Sequence, residues 1–165
     1  MVDCTSYTAT RITYASAHGF AETRAGFEER VPLFDQTMAL ELVLSGASWA
    51  AVEAAVNDRV GPDGLVALAR LDQGALLRLS GRPLEATLYL VGNPLVARDV
   101  TDLAPAAALY APFRVAVFAD AAGVHLAYDR PSSVFASLGS EGINKIAVEL
   151  DDKIEKVAQA VCRGA

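Results

Sequence analysis

The side chains able to do chemistry in this chain concentrate in an otherwise apolar stretch, LYAPFRVAVFADAAGVHLAYDRPSS at residues 109–133. His125 is the candidate acid or base, because imidazole titrates near neutral pH. Arg114 and Asp129 can orient an anionic or polar ligand, or pair with each other across two strands. Ser132 and Ser133 stand where a strand gives way to a helix, so their hydroxyls can bond a ligand or cap the helix. Tyr110, with Tyr89 upstream, offers an apolar ring and a polar tip to the same concavity. Asn93, within Gly92-Asn93-Pro94, opens a helix whose first amides can hold a carboxylate or phosphate; a plain cap is its simpler role. The sequence puts no Ser or Cys nucleophile beside His125, so acid–base work is the chemistry to consider and a triad is not.

Two strands must position this set. Phe113–Ala119 and Val124–Asp129 are rich in β-branched and aromatic residues, and Asp120-Ala121-Ala122-Gly123 supplies the turn. Pairing 119 with 124 puts Val115, Val117, Leu126 and Tyr128 on one face, because side chains alternate along a strand. Arg114, Ala116, Phe118, His125, Ala127 and Asp129 then share the other. In that register His125 stacks on Phe118, and Arg114 lies opposite Asp129. A slip of one residue would exchange the faces.

The rest of the chain reads as alternating strands and helices. Tyr7–Tyr14 is an expected strand, followed by a helix capped by Ser16 that runs to Val31. Asp35 and Ser48 cap two more helices, and Gly61-Pro62-Asp63-Gly64 is a turn. Leu65–Leu71 is a strand, Asp72 caps a short helix, and Ala86–Val91 is a strand leading into the helix at Asn93-Pro94. After Gly139-Ser140, Ile143, Ile146, Leu150, Ile154, Val157 and Val161 form the stripe of a long amphipathic helix, with Gly164 suited to its end. Glu149–Lys153 and Asp152–Lys156 have the spacing of i,i+4 pairs on it. Interspersed elements with a tight final hairpin predict one α+β domain over 1–165, its sheet mostly antiparallel and its helices packed on one face.

Composition bounds the partners. The chain has 165 residues, 53% of them apolar, enough for a real core. A net charge of −6 and a pI near 4.8 argue against a nucleic-acid partner, which would need a basic stripe. No run is apolar enough to span a bilayer, and no secretory signal is read at the start, so a cytoplasmic protein without a membrane partner is expected. The two cysteines, Cys4 and Cys162, read as free thiols of a reducing compartment. Two histidines without CxxC or HxxxH spacing predict neither a metal site nor a cofactor.

YLVGNPLVARDV at 89–100, ALYAPFRVAVF at 108–118 and GVHLAYDRPSSVFASLG at 123–139 resemble the domain-of-unknown-function-302 family. The opening strand and helix, Tyr7–Val31, also suit that family, while residues 33–81 look like a helical elaboration on it. The resemblance implies a curved, mostly antiparallel sheet similar to the TATA-box-binding-protein-like fold, and a homodimer. It implies no catalytic residues. Three functions remain open: a domain binding a small organic or anionic ligand near 110–133, a cofactor-free isomerase or hydrolase using His125, and a structural homodimer without a ligand.

Overall fold

Five segments rich in aliphatic, β-branched and aromatic residues each pair antiparallel with a neighbour. In the computed structural model, which describes residue 2 and residues 4–163, these are β1 (Arg11–Ala15), β2 (Val66–Asp72), β3 (Ala86–Gly92), β4 (Phe113–Asp120) and β5 (Gly123–Asp129). They form one sheet in the order β1-β5-β4-β3-β2. The expected Gly164 helix stop lies outside the described residues. β4 and β5 pair as anticipated, with Ala119 opposite Val124 and Phe118 opposite His125.

One face of the sheet is covered. Tyr89, Val91, Val115, Val117, Leu126 and Tyr128 are buried beneath α1 (Phe20–Arg30) and α7 (Glu141–Cys162). Ser140 caps α7 by accepting the Ile143 amide. Ala147 and Ala158 join the buried stripe, and Ile146 is only half-buried, since the packed face is wider than a single row. Neither anticipated i,i+4 pair forms; the ion pair on this helix is Glu141–Lys145, at 2.9 Å. The remaining helices are α2 (Gln36–Leu44), α3 (Trp49–Asn57), α4 (Gln73–Leu77), α5 (Pro94–Leu103) and α6 (Pro131–Phe135). Asp35, Ser48, Asp72 and Asn93 each accept a first-turn amide of the helix they precede.

The other face carries three cross-strand rows, read from the pairing register. Ala86, Phe118, His125 and Ala15 form one. Leu71, Leu88, Ala116, Ala127 and Thr13 form the next. Ala69, Leu90 and Arg114 continue toward Asp129 and Arg11 in the last. No helix of the chain is long and apolar enough, among the described residues, to cross a membrane.

Two expected boundaries shift. β1 begins at Arg11 and not at Tyr7, because Thr10 already leaves the ladder: its amide donates to Ser133 Oγ at 2.9 Å. α1 begins at Phe20 after Gly19, not after Ser16. Ser16 instead closes the preceding turn, bonding Thr23 Oγ1 at 2.7 Å and accepting the His18 amide at 3.2 Å. At the β2 edge, Leu33 bridges Ala67 in parallel, and the register slips between Ala67 and Ala69 as a bulge.

The 61–64 turn is fastened to the end of α1 by Arg30–Asp63, at 2.6 Å. A Cβ on Gly61 would stand 1.9 Å from the Arg30 carbonyl oxygen, so backbone would have to move. Gly61→Ala is expected to destabilise the fold by about 1–3 kcal/mol. Gly19→Ala, with nothing near its Cβ, should cost less than about 1 kcal/mol. Paired urea denaturation curves check both, and equal effects would refute the steric account. In the hairpin turn Asp120 Oδ1 accepts the Ala122 amide at 2.7 Å and meets His125 Nε2 at 3.1 Å. The amide first, and the imidazole next, hold this carboxyl below its ordinary value of 3.8. A depressed folded-state value contributes stability above the ordinary value, lost as pH falls through the folded one. Wild type should therefore exceed Asp120→Asn in stability at neutral pH, and the two should converge as pH drops below the usual carboxylate range. Denaturation midpoints across acid pH measure this.

Candidate functional site

Where β4 begins and β5 ends, the sheet meets three irregular segments and leaves a cleft of about 490 Å³. Its sheet side is Leu90, Phe113, Arg114 and Asp129. The 3-10 turn Pro105–Leu109 and the loop after it, with a cis Ala111–Pro112 peptide, present Leu109, Tyr110 and Pro112. α6 presents Pro131, Val134 and Phe135, and the segment before β1 adds Tyr7 and Ala9. Thr10 and Ser133 clamp that segment to α6, and the Arg130 amide donates back to the Thr10 carbonyl at 2.7 Å.

Aromatic edges build one wall. Tyr110 lies edge-on to Tyr7 with centroids 6.0 Å apart, and to Phe135 at 5.7 Å. Ser137 Oγ donates to the Tyr110 hydroxyl at 3.0 Å, which fixes the ring. The Tyr110 hydroxyl in turn raises the Tyr7 phenol above its ordinary value.

The charges are arranged differently from the sequence expectation. Asp129 is not paired with Arg114. β1 places Arg11 directly opposite Asp129, and its guanidinium takes both carboxylate oxygens, Nε to Oδ1 at 2.9 Å and Nη2 to Oδ2 at 3.2 Å. The β4–β5 ladder stops at Val115–Tyr128, one pair short of Arg114. Arg114 is exposed on the cleft with no ion pair or hydrogen bond from its side chain among the described residues.

The other candidates scatter. His125 does stack on Phe118, with centroids 5.2 Å apart, but its Nε2 meets Asp120 in the turn. Asp129 lies four residue steps further along the strand, about 13 Å at ~3.3 Å each. Tyr89 belongs to the opposite face from the cleft. Its ring packs on Phe27 and its hydroxyl donates to Glu28 Oε1 at 2.6 Å; burial, then Glu28, drives the phenol well above its ordinary value. Asn93 is spent on structure, accepting the Leu95 amide at 2.8 Å and donating to the Gly64 carbonyl at 3.0 Å. It borders only a pinhole of about 20 Å³ behind the cleft. Neither serine caps α6. Asp151 of α7 accepts the Ser132 amide at 2.9 Å and the Ser132 hydroxyl, while Ser133 Oγ donates to the Arg130 carbonyl at 2.7 Å.

Of the eight candidates, Tyr110, Arg114 and Asp129 therefore meet at the cleft. Sequence reasoning missed Tyr7, Leu90, Leu109 and Phe135, and it missed Arg11 as the partner of Asp129. The alternation Arg11, Thr13, Ala15 marks a strand face, but nothing local says which strand it will join.

A family model described as "Domain of unknown function DUF302" matches residues 41–161. No curated protein matches the chain. Among solved structures, an uncharacterized conserved protein DUF302 from Bacillus stearothermophilus is similar, with a TM-score of 0.66 and 15% identity. The match covers 93% of this chain and 98% of that one, and at that identity it speaks to fold alone. The matched residues include Tyr110, Arg114, Asp129 and Phe135 of the cleft but not Tyr7 or Arg11. The α+β architecture and the match across β2 to β5 make the chain a member of the DUF302 family.

Proposed function

We propose that this protein is a small-molecule-binding domain and that the cleft beside Tyr110 and Arg114 is its site. One observation carries the reading: an aromatic-walled concavity of about 490 Å³ holds a guanidinium that no protein group engages among the described residues. Ligand sites characteristically combine such walls with a few polar groups that fix orientation. The acid–base alternative has less support. His125 is held between Phe118 and Asp120 at the turn end of the hairpin, away from the cleft.

A second reading, self-association as a homodimer, is favoured by the uncovered sheet face. Its central row runs Leu71, Leu88, Ala116, Ala127, an apolar band that a purely solvent-facing strand pattern would fill with polar residues. Free Cys4 and Cys162 suit a reducing compartment, hence the cytoplasm.

The neutral dye N-phenyl-1-naphthylamine tests the site. Saturable fluorescence enhancement is expected, weakened by roughly tenfold in Leu109→Trp, which fills the cleft from an exposed position. Leu44→Trp, on α2, should bind the dye like wild type. Absence of saturable binding, or indifference to Leu109→Trp, would sink the proposal. For the sheet face, sedimentation equilibrium should show a dimer that Ala116→Glu converts to monomer; a monomeric wild type overturns that second reading.

A further inference from the structure

We infer that the cleft selects a monoanionic, largely apolar acid and seats its carboxylate on Arg114. This rests on the binding reading above and gives it a ligand class.

The charges facing the cleft are Arg114 and Asp129. Asp129 is already satisfied within the protein, since Arg11 takes both its oxygens at 2.9 and 3.2 Å. The local imbalance is thus one positive charge, carried by a planar fork of donors that matches a carboxylate in two-pronged geometry. A cationic ligand would find only a carboxylate that is already engaged. A dianion such as a phosphate ester would find one guanidinium and no second cation in the lining. Nor would it find helix amides, because Asp151 occupies the start of α6. The chain's net charge of −6 adds long-range repulsion that grows with ligand charge. Leu90 stands beside Arg114 on the sheet side, and Leu109, Val134 and Phe135 wall the cleft from the irregular segments; these side chains favour a hydrocarbon or aryl body over a sugar.

Arg11 has a role in this arrangement although it does not line the cleft. It is a positioning residue: by holding Asp129, it keeps that carboxylate from competing for Arg114.

Displacement of N-phenyl-1-naphthylamine from the full chain by 4-phenylbutyrate, its neutral amide and 4-phenylbutyl phosphate tests the inference. In wild type the acid should displace the dye at a concentration roughly tenfold below that needed for the amide, and below that for the phosphate. Arg114→Gln should abolish the preference by weakening the acid alone. Asp129→Asn, which removes a negative charge beside the cleft and leaves the Arg11 guanidinium without its partner, should strengthen the acid by about threefold and leave the amide unchanged. Arg11→Gln should weaken the acid and spare the amide. Thermal melts verify that each variant is folded. Equal displacement by acid and amide, a preference that survives Arg114→Gln, or tighter binding of the phosphate each overturns the inference while the cleft reading stands on dye binding. If the dye itself does not bind saturably, both fall together.

Discussion

The pairing of β4 with β5 in a single register is the constraint on which the other parts rest. With Phe118 opposite His125, the hairpin sends Val115, Val117, Leu126 and Tyr128 toward the helices and Arg114, Ala116, Ala127 and Asp129 the other way. A one-residue slip would bury Arg114 and expose the valines, so the hydrophobic face itself locks the register. The turn reinforces it from the closed end, where Asp120 holds Ala122 and His125 while Gly123 takes a φ of +128°. At the open end the hairpin meets β1, and there the register delivers Asp129 to Arg11. That the cleft guanidinium has no partner among the described residues is thus a product of strand alignment on both sides of β5.

The helical layer turns this sheet into a rigid support. α7 contributes a buried stripe from Ile143 to Cys162 and, from the flank of that stripe, Asp151, which ties down the start of α6. α1 contributes Phe27 against Tyr89 and Glu28 to the Tyr89 hydroxyl, with Arg70 of β2 on the same carboxylate. A buried phenol with a carboxylate partner avoids the cost of an unmet polar group in the core. The two helices thus hold the sheet from both halves, while the elements around the cleft are short turns and loops carried on it.

What was legible in the sequence was local. Asp35, Ser48, Asp72 and Asn93 cap their helices as their positions announce, because a cap acts within one turn of its own helix. The hairpin register was legible for the same reason: a tight turn and two alternating strands leave one alignment that buries the apolar set. The charge misreadings involve partners far apart in the chain, while a few local readings also failed: Ser16 does not cap α1, and neither expected i,i+4 pair forms on α7. Arg11 and Asp129 are separated by 118 positions, and Ser132 and Asp151 by 19. Ser132 looked like a cap because nothing nearby showed that a carboxylate from another helix would arrive first. Tyr89 and Tyr110 looked alike as residue types, yet strand parity sent one to the helices while a loop sent the other to the cleft.

The two borders of the sheet differ from its bare face in one respect that bears on assembly. An unpaired strand edge is a template for another chain's backbone, and folded proteins usually disarm it. On one side the edge strand β1 spans only Arg11–Ala15. On the other, residues 32–34 lie along β2: the Ala67 amide donates to the Pro32 carbonyl and the Phe34 amide to the Ala67 carbonyl, just where a bulge interrupts the strand. Backbone-mediated growth from either rim is thereby discouraged. In the proposed homodimer, two copies would meet through side chains across the broad surface of the sheet, a geometry that closes after two copies and does not propagate into filaments.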